Sequence, residues 1–261
     1  MRSLGIAATG MLAQQLNVEV ISNNIANMNT TGFKRQRPEF QDLLYQSQRR
    51  IGSASSDTGT IVPSGIQMGL GVRTASVYRI TEQGTVTGTN NTFDVALQGK
   101  GWFRIELPTG EDGYTRDGAF QLSPDGQIVT ADGFLVQPGI TIPQDAVEVS
   151  INPSGEVEVK IAGQVAVQNV GQLELTNFPN EAGLEAIGQN LFLETPSSGA
   201  PIIGNPGQEG FGTVLQGFLE VSNVNSVSEI TNLITAQRAY EMNSKVITTS
   251  DEMMATVSQM R

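Results

Sequence analysis

Apolar positions along this chain change period twice. Near the N-terminus Leu4, Ala8, Met11, Val18 and Ile25 recur at helical spacing with Leu12 beside them, while Gln14, Gln15, Asn17 and Asn24 cover much of the other surface. That pattern predicts a one-sided helix over Leu4 to Ile25, with Gly32 as its stop and an Asn cluster before it that frays the last turn. Near the C-terminus Ile230, Leu233, Tyr240, Ile247 and Met254 repeat in near-heptad fashion, interrupted by Gln237, Ser244 and Asp251. Ser226-Val227-Ser228-Glu229 reads as a capping box with Ser226 at the N-cap, so a second helix is expected from Val227 to roughly Met260. About 33 helical residues span roughly 50 Å. Stripes this thin do not stabilise isolated helices, so both ends need partners.

Between the helices the period falls to two. Val147-Glu148-Val149-Ser150-Ile151 and Glu156-Val157-Glu158-Val159 alternate, with the apolar face expected inward and the Glu face outward. Asp112-Gly113, Asp117-Gly118, Asp125-Gly126, Asp132-Gly133 and Ser154-Gly155 mark corners. Residues 34–50 read as a short helix or turn carrying Phe40, Leu43, Leu44 and Tyr45. Residues 51–72 are rich in Ser, Gly and Thr and read as an extended, hairpin or linker segment. The expected fold is mixed: a helix over 1–33, a connecting segment over 34–72, an all-β module over 73–221 and a long helix over 222–261. The terminal helices would form a coiled-coil-like layer.

Composition narrows the chemistry. The 261 residues include no Cys and no His, which removes thiol nucleophiles, thiolate metal sites and imidazole proton transfer. The net charge of −11 is uneven. Residues 1–50 carry six basic side chains (Arg2, Lys34, Arg35, Arg37, Arg49, Arg50) against Glu19, Glu39 and Asp42. The acidic remainder argues against nucleic acid as a partner. Opposed signs suit head-to-tail contact between copies, and equally suit a solvated basic segment. No apolar run reaches the ~20 residues of a membrane span, and Gln14, Gln15, Asn17 and Glu19 interrupt any secretory h-region.

Other motifs carry little. The Asp-Gly pairs lack the close ligand spacing of a Ca²⁺ loop and read as turns. Gly69-Leu70-Gly71 and Gly99-Lys100-Gly101 lack the third glycine and the following helix of a phosphate loop. Asn29-Thr30-Thr31 and Asn90-Asn91-Thr92 match glycosylation sequons of a kind that arises often by chance. Acidic residues are plentiful, but no spacing singles out a pair for glycoside cleavage, and their ordinary role is a solvated strand face. Catalytic residues, metal ligands and cofactors are therefore assigned as none.

Both ends carry more specific signals. Ser22-Asn23-Asn24-Ile25-Ala26-Asn27-Met28-Asn29-Thr30-Thr31-Gly32-Phe33-Lys34-Arg35 resembles the N-terminal signature of the bacterial flagellar rod and hook protein family, and Gln237-Arg238-Ala239-Tyr240-Glu241-Met242-Asn243-Ser244-Lys245 its C-terminal signature. The likeness continues through Gly65–Val72, Asp94–Phe103 and Tyr114–Phe120. Where the family commonly has Gly-Phe-Phe, this chain has Gly101-Trp102-Phe103. Within the family, the length fits a subunit with one β module, and residues 46–68 resemble the extra segment of distal-rod subunits. A proximal-rod subunit is the alternative. A secreted carbohydrase and an adhesin are rivals of other classes.

The resemblance implies a non-enzymatic structural subunit, exported by the flagellar type III apparatus without a cleaved signal and assembled into an open helical tube that transmits torque across the periplasm. Its implied partners are copies of itself, neighbouring rod and hook subunits, and the outer-membrane and peptidoglycan bushing rings. It is not inserted in the membrane. The residues expected at self-assembly contacts are Leu4, Met11, Val18, Ile25, Asn23, Asn24, Asn27, Ile230, Leu233, Tyr240, Ile247 and Met254. Residues 1–30 and 226–261 are expected to be largely disordered in the free subunit, and 46–68 to cross between subunits and hold them straight.

Overall fold

The computed structural model describes residues 2–49, 65–163 and 166–260. It has two helices, one at each end, and a β-rich centre. Helix α1 spans Arg2–Ala26 and helix α2 spans Ser226–Gln259. The chain divides into two compact units. One holds Met1–Ile25, Gln36–Tyr78 and Asn225–Arg261; the other holds Ala26–Arg35 and Arg79–Val224.

In the first unit both helices lie with short antiparallel strands. Gln36–Asp42 pairs with Val72–Arg79, and Tyr45–Arg49 with Ile66–Gly69. Of residues 34–50, read from sequence as a short helix or turn, Gln36–Asp42 and Tyr45–Arg49 are thus extended, because sheet partners some twenty to thirty residues away override weak local preference. The expectation for residues 51–64 lies outside the described residues. The start of α2 also differs from the sequence reading. Asn225 is the N-cap, and its side chain accepts a hydrogen bond from Ser228 N–H. The helix begins one residue earlier than the proposed box requires, which frees Glu229 to turn inward, where it is buried.

The second unit is built on an antiparallel nine-stranded sheet centred on Trp102–Glu106. One edge of that strand pairs with Asp112–Thr115; the other is shared between Leu135–Val136 and Leu175–Asn177. A three-stranded sheet of Ala146–Ile151, Glu156–Ile161 and Gln168–Gln172 contributes to the same core. Leu97, Phe103, Ile105, Val157, Val159 and Leu175 are fully buried within it. Phe103 meets Phe120 edge to face at 5.0 Å, the arrangement favoured by ring quadrupoles.

Local expectations are met unevenly. Gly126, Gly133 and Gly155 close tight turns onto Ser123, Thr130 and Asn152. Asp112-Gly113, by contrast, lies inside a strand; the turn is made by Gly110, whose N–H donates to Leu107 O. Along Glu156–Ile161 the valines point inward as expected. On the partner strand a register shift between Ala146 and Glu148 throws Val147 outward, 72% exposed. The extra residue of a bulge inverts the face of its neighbours.

A second apolar cluster joins Trp102, Tyr114, Phe178, Leu184 and Phe192. Tyr114 is buried, and its phenol is pushed up to about 12, first by burial and then by the nearby Glu194 and Asp112 charges. An unfolded tyrosine ionises near 10. The group therefore contributes stability that is complete below pH ~10 and is lost as pH rises through the folded value. Urea titrations should show the wild type losing on the order of 2 kcal/mol more than Tyr114→Phe between pH 9 and about 12. Parallel losses in the two proteins would refute this assignment.

Candidate functional site

Two constellations gather the residues of the terminal signatures. The first is a helix seam. Ser3 Oγ lies 3.2 Å from Ser250 Oγ, and Asn24 Nδ2 donates to Glu229 Oε2 at 3.2 Å. Between these, a Cβ built on Gly10 would stand 2.8 Å from Asn243 Nδ2. The three pairs share one antiparallel register, and each step along it is a multiple of seven residues. The α1 column is therefore Ser3, Gly10, Asn17, Asn24, and the α2 column Glu229, Ala236, Asn243, Ser250. Asn24, Glu229, Ala236 and Ser250 are buried. Asn24 is pinned further by Gln36, whose N–H donates to Asn24 Oδ1 and whose carbonyl accepts from Nδ2, both at 2.9 Å.

The sequence-expected contact positions are distributed differently. Asn24 is buried at the seam, Asn23 is exposed and Asn27 is half-buried. Leu4, Met11, Val18 and Ile25 each follow a seam residue by one position and are half-buried. Leu233 and Ile247 are half-buried, whereas Ile230, Tyr240 and Met254 are exposed at 49%, 44% and 40%. Val227, Ile234, Met242, Val246, Met253 and Val257 are exposed as well. Apart from Asn24, the central column stands outside the expected set, because it is made of small and polar residues. Its signal in the sequence was the seven-residue recurrence of Ser, Gly and Asn.

The second constellation lies inside the β-rich unit and centres on Glu220. Lys34 Nζ donates to Glu220 Oε1 at 2.6 Å and to Glu82 O at 2.9 Å. Gly84 N–H donates to the same carboxylate oxygen, and Arg116 Nε stands 3.3 Å from Oε2. The Arg116 guanidinium also donates to Gly101 O and Gly99 O. Gly32 N–H donates to the Glu220 carbonyl. At φ +66°, with the Arg116 carbonyl carbon 2.8 Å from where a Cβ would sit, position 32 admits only glycine; this, rather than a helix stop, is its role. Asn223 accepts from Arg35 N–H and donates to Ile80 O and Glu82 O. Lys34 is therefore not part of a solvated basic segment. Burial first, then the neighbouring Arg116 charge, lowers its pKa, and Glu220 opposes both.

Nothing in either constellation resembles reaction chemistry. Among the described residues no group of three or more acidic side chains comes together to hold a metal, and no helix is long and apolar enough to cross a membrane.

Terminal helices that pair through a polar seam, with much of the apolar surface of α2 left exposed, define a class of protein made to associate. The comparisons identify that class. The chain matches, in order, the families described as "Flagella basal body rod protein" over residues 4–34, "Flagellar hook protein FlgE/F/G D1 domain" over 96–159 and "Flagellar basal body rod FlgEFG protein C-terminal" over 215–260. It is 64% identical to "Flagellar basal-body rod protein FlgG" of Caulobacter vibrioides, with all of both chains covered. It is 54% identical to the protein of that name from Agrobacterium fabrum, with 99% of each chain covered, and 46% identical to that of Borreliella burgdorferi, with 100% and 99% covered. The chain belongs to the flagellar hook and basal-body rod family and is a structural component of the flagellar rod.

Removing one partner of a buried ion pair typically destabilises by about 3–5 kcal/mol. Lys34→Ala should lower the unfolding free energy of the β-rich unit by that order in urea denaturation. Lys160→Ala, at an exposed position of the same unit, should change it by under about 1 kcal/mol. Equal effects would show that the Lys34–Glu220 contact is not what holds this segment.

Proposed function

We propose that this chain builds the distal segment of the rod as an open helical tube of identical subunits. Copies joined by one repeated heterologous contact grow without closing. The terminal helices form an inner, coiled-coil-like layer, and the β-rich unit, which carries most of the acidic excess, faces the bushing rings. The observation that carries this reading is the run of exposed apolar side chains along α2, from Val227 and Ile230 through Met242 and Val246 to Val257. Neighbouring copies, and rod and hook subunits at the two ends, are the partners that cover it. Burying the exposed half or so of each of these side chains contributes about 1 kcal/mol, and over many subunits such contacts give a shaft stiff enough to carry torque.

The subunit reaches this site through the flagellar type III apparatus, and its role needs neither cofactor nor enzymatic activity. Helices whose apolar faces await neighbours stay largely unfolded in the free chain, which keeps it threadable. Tracing the chain in electron micrographs of isolated basal bodies tests the reading directly. Density that places it outside the rod, or that leaves the α2 apolar face in solvent, would reject it.

Residues 46–68 hold neighbouring subunits straight. Support comes from the flanking hairpin, where Leu44, Tyr45, Ile66 and Leu70 are exposed at 84%, 59%, 51% and 39%. Deleting Gln46–Met68 should leave the β-rich unit folded by circular dichroism and produce bent or flexible rods. In the free wild-type subunit, amides of 1–30 and 226–261 should exchange within the shortest labelling times. Straight rods after deletion, or slow exchange at both ends, would contradict the respective claim.

A further inference from the structure

We infer that the polar seam between α1 and α2 is a register key: Asn24–Glu229 and Gly10–Asn243 admit one antiparallel alignment of the two helices and reject the alignments one heptad away. This rests on the rod reading above and adds what specifies the packing of its inner layer.

The argument starts from what the seam lacks. Leucine-rich helices slide by one heptad with little penalty, because every layer resembles the next. A single polar layer removes that degeneracy at some loss of stability. Here the layers differ from one another. Glu229 is 3% exposed and receives the Asn24 amide, which is itself oriented by both backbone groups of Gln36. Asn243 occupies the space that Gly10 leaves by having no side chain.

Sliding α2 so that Ser3 meets Val257 would set Asn243 against Asn17 and Asn24 against Ala236. Glu229 would fall opposite position 31, past the end of α1 at Ala26. Its buried carboxylate would lose the amide, and Asn243 would meet a side chain where it now meets none. Sliding the other way sets Asn243 against Ser3 and leaves Asn24 opposite position 222, before α2 begins at Ser226. Both shifts break the same two contacts. The half-buried apolar residues Leu4, Met11, Val18 and Ile25 also repeat every seven residues and do not discriminate between alignments. Of these two sets of repeats the polar column is the one that distinguishes the alignments.

The absence of cysteine makes the test clean. Ser3→Cys with Ser250→Cys reports the native register, since the parent hydroxyls stand 3.2 Å apart. Ser3→Cys with Val257→Cys reports the register shifted by one heptad. Both pairs are expressed in the full chain, and cross-links are quantified in subunits incorporated into basal bodies. In the otherwise unchanged chain the native pair should cross-link at least about tenfold more than the shifted pair. Asn24→Leu with Glu229→Leu should keep the helices and bring that ratio toward one. A ratio that stays at its original value overturns the register key while leaving the rod reading intact. Absence of the cysteine-bearing but otherwise unchanged chain from basal bodies counts against the rod reading instead. If the double leucine variant is not incorporated, Asn243→Ala supplies the same readout. A severalfold fall in the ratio supports the key, and no fall refutes it.

Discussion

Helix α2 has 34 residues and α1 has 25, so one chain cannot cover its own longest element. The seam register ends near Ser250. Beyond it Met253, Met254, Val257 and Met260 remain exposed, the last at 89%. This mismatch governs the rest of the helical unit. A soluble monomer would place its widest apolar face against its own partner helix. This chain places serine, glycine, alanine and amides there and keeps much of its apolar surface outside. Small and polar residues allow close approach without using up hydrophobic surface, and that surface is then available for association.

The β-rich unit meets a different requirement. Its apolar clusters are covered within the unit, and its most heavily buried charges meet at one carboxylate. Glu220 ties residues 32–34 at the N-terminal side to residue 84, to Arg116 and to the strand that precedes α2. A lysine and an arginine around one glutamate in the interior are worth more as a locator than as a source of stability, since desolvation offsets much of their attraction. The Gly84 backbone donor and the acceptors at Glu82, Gly99 and Gly101 make the arrangement tolerable by bonding Glu220 Oε1, Lys34 and the Arg116 guanidinium, while Oε2 has the Arg116 charge at 3.3 Å and no hydrogen bond.

Much of this was legible along the chain. The two terminal helices, the β-rich centre and the family resemblance follow from period, turn residues and motif. The errors share one cause. Periodicity names a face but not the element that meets it. Residues 36–49 form strands because of partners at 66–79, Val147 points outward because of a bulge, and Asn225 caps α2 although Ser226 fits the local pattern better. Of the residues expected at contacts between copies, Asn24 lies in the seam, whereas Leu4, Met11, Val18 and Ile25 each follow a seam residue by one position.

By itself, the sequence determined that a helix stands at each end with β structure between, that thiol and imidazole chemistry is absent, and which family the chain joins. These properties depend on local spacing and side-chain identity. Only the tertiary structure decided that Lys34 is buried, that Gly32 must be glycine, and that Asn24 meets Glu229. Each of those pairings joins residues distant along the chain, with Lys34 and Glu220 separated by 186 positions and Asn24 and Glu229 by 205. No local pattern encodes which of many buried donors will face a given carboxylate; the packing of whole elements selects it.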